Sequence, residues 1–131
     1  IEALSRGARF CQFLEISDKA ISTIKKNLVK TRTSERARVV RMDAIKYLSQ
    51  PSTDRFDYVY IAPPQYKEMW IDAIQHLDRQ PDLLSEDGWA IVQIHPVEYK
   101  SLELSNLVEF DQRKYGSTLL VFYQHPEAIS E

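Results

Sequence analysis

Short apolar runs alternate along this chain with longer stretches in which apolar residues return every third or fourth position. Ala8-Arg9-Phe10-Cys11-Gln12-Phe13-Leu14-Glu15 is a short strand-like run ending in an acid. Ser17 or Asp18 then caps a helix in which Ile21, Ile24 and Leu28 share one face at i, i+3, i+7. After polar, turn-like Thr31 to Glu35, Ala37 to Met42 reads as a second strand, followed by Asp43 and a short helix carrying Ile45 and Leu48. Pro51 to Asp54 is a predicted loop, and Phe56 to Ile61 a third strand. Upstream of all of these, Ile1 to Arg6 reads as the last turns of a helix closed by Gly7 in the C′ position.

The second half continues the pattern. Glu68 to Leu77 is a predicted helix with Trp70, Ile71, Ile74 and Leu77 on its buried side. Pro81 to Leu84 is a short helical turn ended by Asp87-Gly88, and Trp89 to Ile94 a buried strand stopped by His95-Pro96. Strands near Leu107 to Phe110 and Thr118 to Tyr123 flank the tight turn Tyr115-Gly116-Ser117 and predict an antiparallel pair. Strand, helix, strand, helix, strand, helix, strand, hairpin is the order of an α/β domain with a mostly parallel sheet. No repeat, low-complexity tract or linker interrupts it, so residues 1–131 read as one domain.

Composition narrows the function. With 44% hydrophobic and 27% charged residues the 131-residue chain has the makings of one globular core. Cys11 is the single cysteine, which excludes an internal disulfide and a multi-cysteine zinc site; in its apolar run it reads as a small buried hydrophobe. His76, His95 and His125 are scattered without ligand spacing, so no metal is expected. No run approaches the ~20 apolar residues of a membrane span and no signal-peptide pattern opens the chain, which predicts a protein of the cytoplasm or an organelle stroma. The net charge of −2 does not advertise a nucleic-acid partner. A local patch does exist: Lys19, Lys25, Lys26, Lys30, Arg32, Arg36, Arg38 and Arg41 fall within one quarter of the sequence, as a solvated face or as a phosphate-contacting surface.

Three predicted strand ends carry groups with chemistry. Glu15 ends the first, Asp43 the second, and Ala62-Pro63-Pro64-Gln65-Tyr66 follows the third. Adjacent prolines lack N–H donors and fix their own φ, so they force a stiff corner at the carboxyl end of a strand, where open α/β sheets place their ligands. A carboxylate there accepts ribose hydroxyls, or simply caps a helix. The glycines Gly7, Gly88 and Gly116 are too far apart to form a dinucleotide-type loop. Either the chain binds no nucleotide-like cofactor, or that loop lies upstream of Ile1.

At Ile1-Glu2-Ala3-Leu4-Ser5-Arg6-Gly7-Ala8 the chain resembles the segment just after the glycine-rich motif of RsmD-type methyltransferases, which use S-adenosyl-L-methionine to methylate a guanine N2 of small-subunit ribosomal RNA. Further matches lie at Leu14 to Ala20, at Met42-Asp43-Ala44, at Phe56-Asp57 through Pro63-Pro64, and at Lys114 to Thr118. The resemblance implies a Rossmann-like class I methyltransferase sheet whose first strand and glycine loop would precede Ile1, making this a partial domain that alone binds the cofactor poorly and is inactive. It implies Glu15 on the cofactor ribose and Asp43, with Ala44 beside it, near the adenine. It places Ala62-Pro63-Pro64-Gln65 where the family carries Asp/Asn-Pro-Pro-Tyr/Phe, a motif that accepts hydrogens from the target amino group and stacks on a flipped-out base.

Two positions depart from that motif. Ala62 has no side-chain acceptor, a loss of about 2–4 kcal/mol, or ~10²–10³ in rate, where charge develops. Gln65 stands where the aromatic is expected, and the aromatic has moved to Tyr66. Gln65 brings a side-chain carbonyl of its own to the corner. The expected function is rRNA guanine-N2 methylation with the small ribosomal subunit as partner. The alternatives are a non-catalytic RNA-binding or assembly module, which Ala62 favours, and an amino-group methyltransferase acting on DNA or protein.

Overall fold

The computed structural model describes residues 8–50, 54–62 and 69–126. The predicted helix end before Gly7, most of the Pro51 loop, Glu68 and the corner residues Pro63, Pro64, Gln65 and Tyr66 lie outside them. The chain divides into two compact units, Ile1–Tyr47 and Leu48–Glu131.

In the first unit, strand β1 (Cys11–Glu15) pairs in parallel with β2 (Ala37–Arg41), in register from Cys11 opposite Ala37 to Glu15 opposite Arg41. Helix α1 (Asp18–Lys30) connects them. Of the two candidate caps, Ser17 is the one used: its hydroxyl accepts the Ala20 N–H at 3.3 Å, and Asp18 sits in the first turn, where the helix dipole favours an acid. Leu28 is buried and Ile21 and Ile24 half-buried, so the predicted stripe is the inner one. The helix ends on Arg32 at φ 60°, a left-handed turn that brings the Thr33 N–H back to the Leu28 carbonyl at 3.0 Å. Two expectations change here. The strand starts at Cys11 rather than Ala8, and Cys11 is half-buried rather than buried, though desolvation still pushes its thiol up.

The second unit holds β3 (Phe56–Ile61), α3 (Met69–Arg79), β4 (Leu84–Ile94), β5 (Val108–Tyr115) and β6 (Thr118–Gln124); the short α2 (Ala44–Leu48) precedes them. The four strands form one sheet in the order β3-β4-β6-β5. β3 and β4 run parallel, and the β5–β6 hairpin joins β4 antiparallel, as the sequence pattern predicts. Gly116 turns the hairpin at φ 59°, which its missing Cβ permits. One sheet face consists of Ala90, Val92, Ile94, Leu119, Val121 and Tyr123, all buried. In the same unit α3 buries Trp70, Ala73, Ile74 and Leu77, a helical stripe matching that apolar face.

The boundary around Gly88 differs from expectation. β4 begins at Leu84, and Asp87-Gly88 is not a turn but part of a bulge: Phe56 lies opposite Leu84, yet Tyr58 lies opposite Trp89. A Cβ on Gly88 would stand 2.8 Å from the Asp57 carbonyl oxygen, so the close approach requires glycine. β5 likewise runs on to Tyr115, well past Phe110.

Asp78, at the end of α3, is 7% exposed and holds the connection before β5. Its carboxylate accepts the N–H groups of Ser105 (2.9 Å), Asn106 (2.8 Å) and Leu107 (2.9 Å), and its carbonyl accepts the Asn106 side-chain amide at 2.7 Å. Among the described residues no helix is long and apolar enough to cross a membrane, and no group of three or more His, Cys, Asp or Glu is placed to hold a metal ion.

Candidate functional site

In the first unit the two predicted cofactor acids come to the same end of one ladder. Glu15 closes β1 opposite Arg41, and Asp43 follows two residues after Arg41, with the Met42 N–H bonded to the Glu15 carbonyl at 3.2 Å. Glu15 Oε1 accepts the N–H groups of Ile16 (3.0 Å) and Ser17 (3.1 Å). These bonds fix the carboxylate, while Oε2 has no hydrogen-bond partner among the described residues. Asp43 Oδ1 accepts the Ile45 N–H at 3.1 Å and its carbonyl accepts the Tyr47 N–H at 3.0 Å, so Asp43 opens α2. Ala44 is exposed beside it, and the apolar Ile16 side chain is 61% exposed beside Glu15. Both acids therefore also act as local caps, each through one oxygen. Two fixed, outward-facing carboxylates flanked by an exposed apolar side chain suit a ligand with vicinal hydroxyls and a flat ring.

Of the predicted corner only Ala62 is among the described residues. Ala62 is exposed and immediately follows β3. Tyr58 and Tyr60, on the same side of that strand, are also exposed. Burial pushes the Tyr60 phenol up, so it keeps its proton, and its hydroxyl donates to Gln93 Oε1 on β4. His95, the first residue after β4, caps the turn Pro96–Glu98: its Nδ1 accepts the Val97 N–H at 3.2 Å while the Glu98 carboxylate accepts the His95 N–H at 3.2 Å. Since an amide can only donate, the neutral ring carries its proton on Nε2.

The basic cluster is not uniform. Arg36 donates to the Ala8 carbonyl at 2.6 Å, Arg38 binds Gln12 Oε1 and lies 6.0 Å from the Phe10 ring, and Arg41 pairs with Asp18 at 3.0 Å. Lys19, Lys25, Lys26, Lys30 and Arg32 are exposed. The other two histidines make backbone contacts, His76 Nδ1 with the Asp72 carbonyl at 2.7 Å and His125 Nε2 with the Leu84 carbonyl at 2.8 Å.

The sequence singles out Glu15, Asp43, Ala44 and Ala62 as candidates; the contact between Tyr60 and Gln93 is not visible in it. The signal was the two-residue alternation within Phe56–Ile61 and Trp89–Ile94, which needs the register between the strands before it says which residues share a face.

A family model described as "Conserved hypothetical protein 95" matches residues 1–124. A Bacillus subtilis relative, YlbH, named provisionally as an rRNA methyltransferase, is 34% identical over 127 residues, covering 95% of this chain and 68% of its own length. Ribosomal RNA small subunit methyltransferase D of Haemophilus influenzae is 34% identical over 90 residues, 67% of this chain and 43% of the relative. A solved Haemophilus influenzae structure, titled provisionally as a methylase, superposes with a TM-score of 0.81 at 27% identity, over 96% of this chain and 78% of that one. The α/β sheet with its antiparallel end is thus the Rossmann-like sheet of class I methyltransferases. Across nearly its whole length the chain belongs to the RsmD-type rRNA methyltransferase family.

Proposed function

We propose that the protein containing this chain transfers a methyl group from S-adenosyl-L-methionine to the exocyclic N2 amino group of a guanine in small-subunit ribosomal RNA. The observation that carries this reading is the pairing of Glu15 and Asp43 at one end of the β1–β2 ladder, each with one oxygen tied to backbone N–H groups. Such a donor set fits the cofactor: Glu15 Oε2 accepts ribose hydroxyls, Asp43 and the Ala44 backbone face the adenine, and the exposed Ile16 side chain offers the ring an apolar surface. Glu15, Asp43 and Ala44 would hold the cofactor there, and it would supply an electrophilic methyl group to the target amine.

The residues after β3 are the candidates for holding the target. Ala62, Pro63, Pro64, Gln65 and Tyr66 orient the amino group through corner carbonyls, and Tyr66 stacks on the extruded base. Holding the nitrogen lone pair in line with the methyl carbon is the main catalytic contribution of such a site. The exposed Lys25, Lys26 and Lys30 of α1 contact phosphates, with Arg36, Arg38 and Arg41 contributing less because they already have partners. Ribosomal subunits as substrate place the reaction in the cytoplasm or an organelle stroma. Ala62 favours one other reading, a non-catalytic RNA-binding or assembly module.

Methyl transfer to purified small subunits by the full-length protein separates the two. Pro64→Ala is expected to reduce transfer at least ~10²-fold with cofactor binding retained. Full activity in Pro64→Ala would remove the corner from the mechanism, and no transfer by the unsubstituted protein would favour the assembly module. RNA affinity is expected to fall steeply with salt and to weaken on reversing Lys26 and Lys30.

A further inference from the structure

Position 62 carries no side-chain acceptor, and among the described residues the neighbouring strand brings one close to it. β3 and β4 are parallel, with Tyr60 opposite Ile91 and Ile61 opposite Val92. Ala62 follows Ile61 at the end of β3, and Gln93 follows Val92 on β4, so both stand just beyond the last opposed pair. Directly opposed residues in a ladder point to the same face, with Cβ atoms ~5 Å apart. Burial agrees with that alternation: Val59, Ile61, Ala90 and Val92 face the packed side, whereas Tyr58, Tyr60, Ala62 and Gln93 are exposed.

Gln93 is held in place. Its Oε1 accepts the Tyr60 hydroxyl, a diagonal contact across the same pair of strands. That bond fixes the carboxamide plane yet leaves a second lone pair on Oε1 and both N–H donors of Nε2. Resting on the reading of the corner as an amino-group site, we propose that Gln93 supplies the side-chain acceptor missing at Ala62. Oε1 accepts one hydrogen of the target amino group, and Nε2–H donates to the ring nitrogen beside it. A carboxamide is complementary to an amino group flanked by a ring acceptor, the arrangement at guanine N2 and N3, so Gln93 also selects for an aminopurine edge.

The test uses the full-length protein, labelled S-adenosyl-L-methionine and purified small ribosomal subunits. Gln93→Ala is expected to lower kcat about 10²-fold while leaving the cofactor Kd unchanged. Tyr60→Phe, which only frees the carboxamide, is expected to lower it about tenfold. Adding Ala62→Asn to Gln93→Ala is expected to recover at least tenfold, because an acceptor then returns at position 62; a variant merely damaged in folding would gain nothing. Wild-type turnover in Gln93→Ala, or no recovery in the double variant, overturns the role of Gln93 while leaving the methyltransferase reading intact. Absence of transfer by the unsubstituted protein overturns both.

Discussion

Glu15 and Asp78 are both carboxylates that accept several backbone N–H groups, and they do opposite work. Glu15 is partly exposed and bonds Ile16 and Ser17, the two residues next to it, through one oxygen. Asp78 is buried and bonds Ser105, Asn106 and Leu107 through both oxygens, across a connection of 27 to 29 residues. The near contacts orient an acid and keep an oxygen available to a ligand. The distant contacts engage both oxygens of a buried acid and tie down the connection before β5. A carboxylate at a strand or helix end is thus a candidate site only while part of its acceptor capacity is left unused.

The largest effect that would break this contrast is on stability. Asp78→Ala leaves three backbone donors without their acceptor at a buried position and is expected to cost about 3 kcal/mol in urea unfolding. A cost comparable with that of a surface substitution would show that the strap is dispensable. Glu15→Ala should behave in the other way. Its loss is expected to raise the cofactor Kd about tenfold, read by calorimetry on the full-length protein, with stability changed by less than about 1 kcal/mol. Equal loss of stability in both variants would erase the distinction between them.

Legibility in the sequence follows the same division. Glu15, Asp43 and the proline corner sit at ends of apolar runs, so position along the chain alone marked them, and Ser17 could be narrowed to one of two caps. Asp78 could not be read, because nothing at residues 105–107 announces that their amides lack partners. Gln93 was hidden for a related reason: its contact with Tyr60 depends on strand register, which is set by packing and by the bulge at Gly88. The bulge itself was read as a turn, since Asp-Gly signals one and only the approach of the Asp57 carbonyl shows otherwise. The fold was legible from its apolar periods, and the candidate acids stood out at its strand ends. Contacts between strands were not.

A smaller effect concerns pH. Burial pushes the Tyr123 phenol well up, with Glu109 opposite it on β5 adding to the shift, and the hydrogen bond to Glu109 pushes Tyr99 up as well. Below pH ~10 both phenols are neutral whether the chain is folded or not, and they add no pH dependence. Above it the unfolded chain ionises first, so stability falls as pH rises. Tyr123→Phe removes that part of the alkaline loss, about 0.4 kcal/mol at pH 10. It also deletes a buried hydroxyl with no hydrogen-bond partner among the described residues, so stability at neutral pH is expected to hold or rise. Alkaline unfolding profiles that coincide for the two proteins would contradict the assignment.

The most direct measurement is the identity of the product. Small ribosomal subunits lacking the modification, incubated with the full-length protein and labelled S-adenosyl-L-methionine, are digested to nucleosides and resolved by mass spectrometry. The expected result is N2-methylguanosine, formed by the unsubstituted protein and lost in Pro64→Ala. A methyl group on any other nucleoside position, or no labelled nucleoside at all, would contradict it.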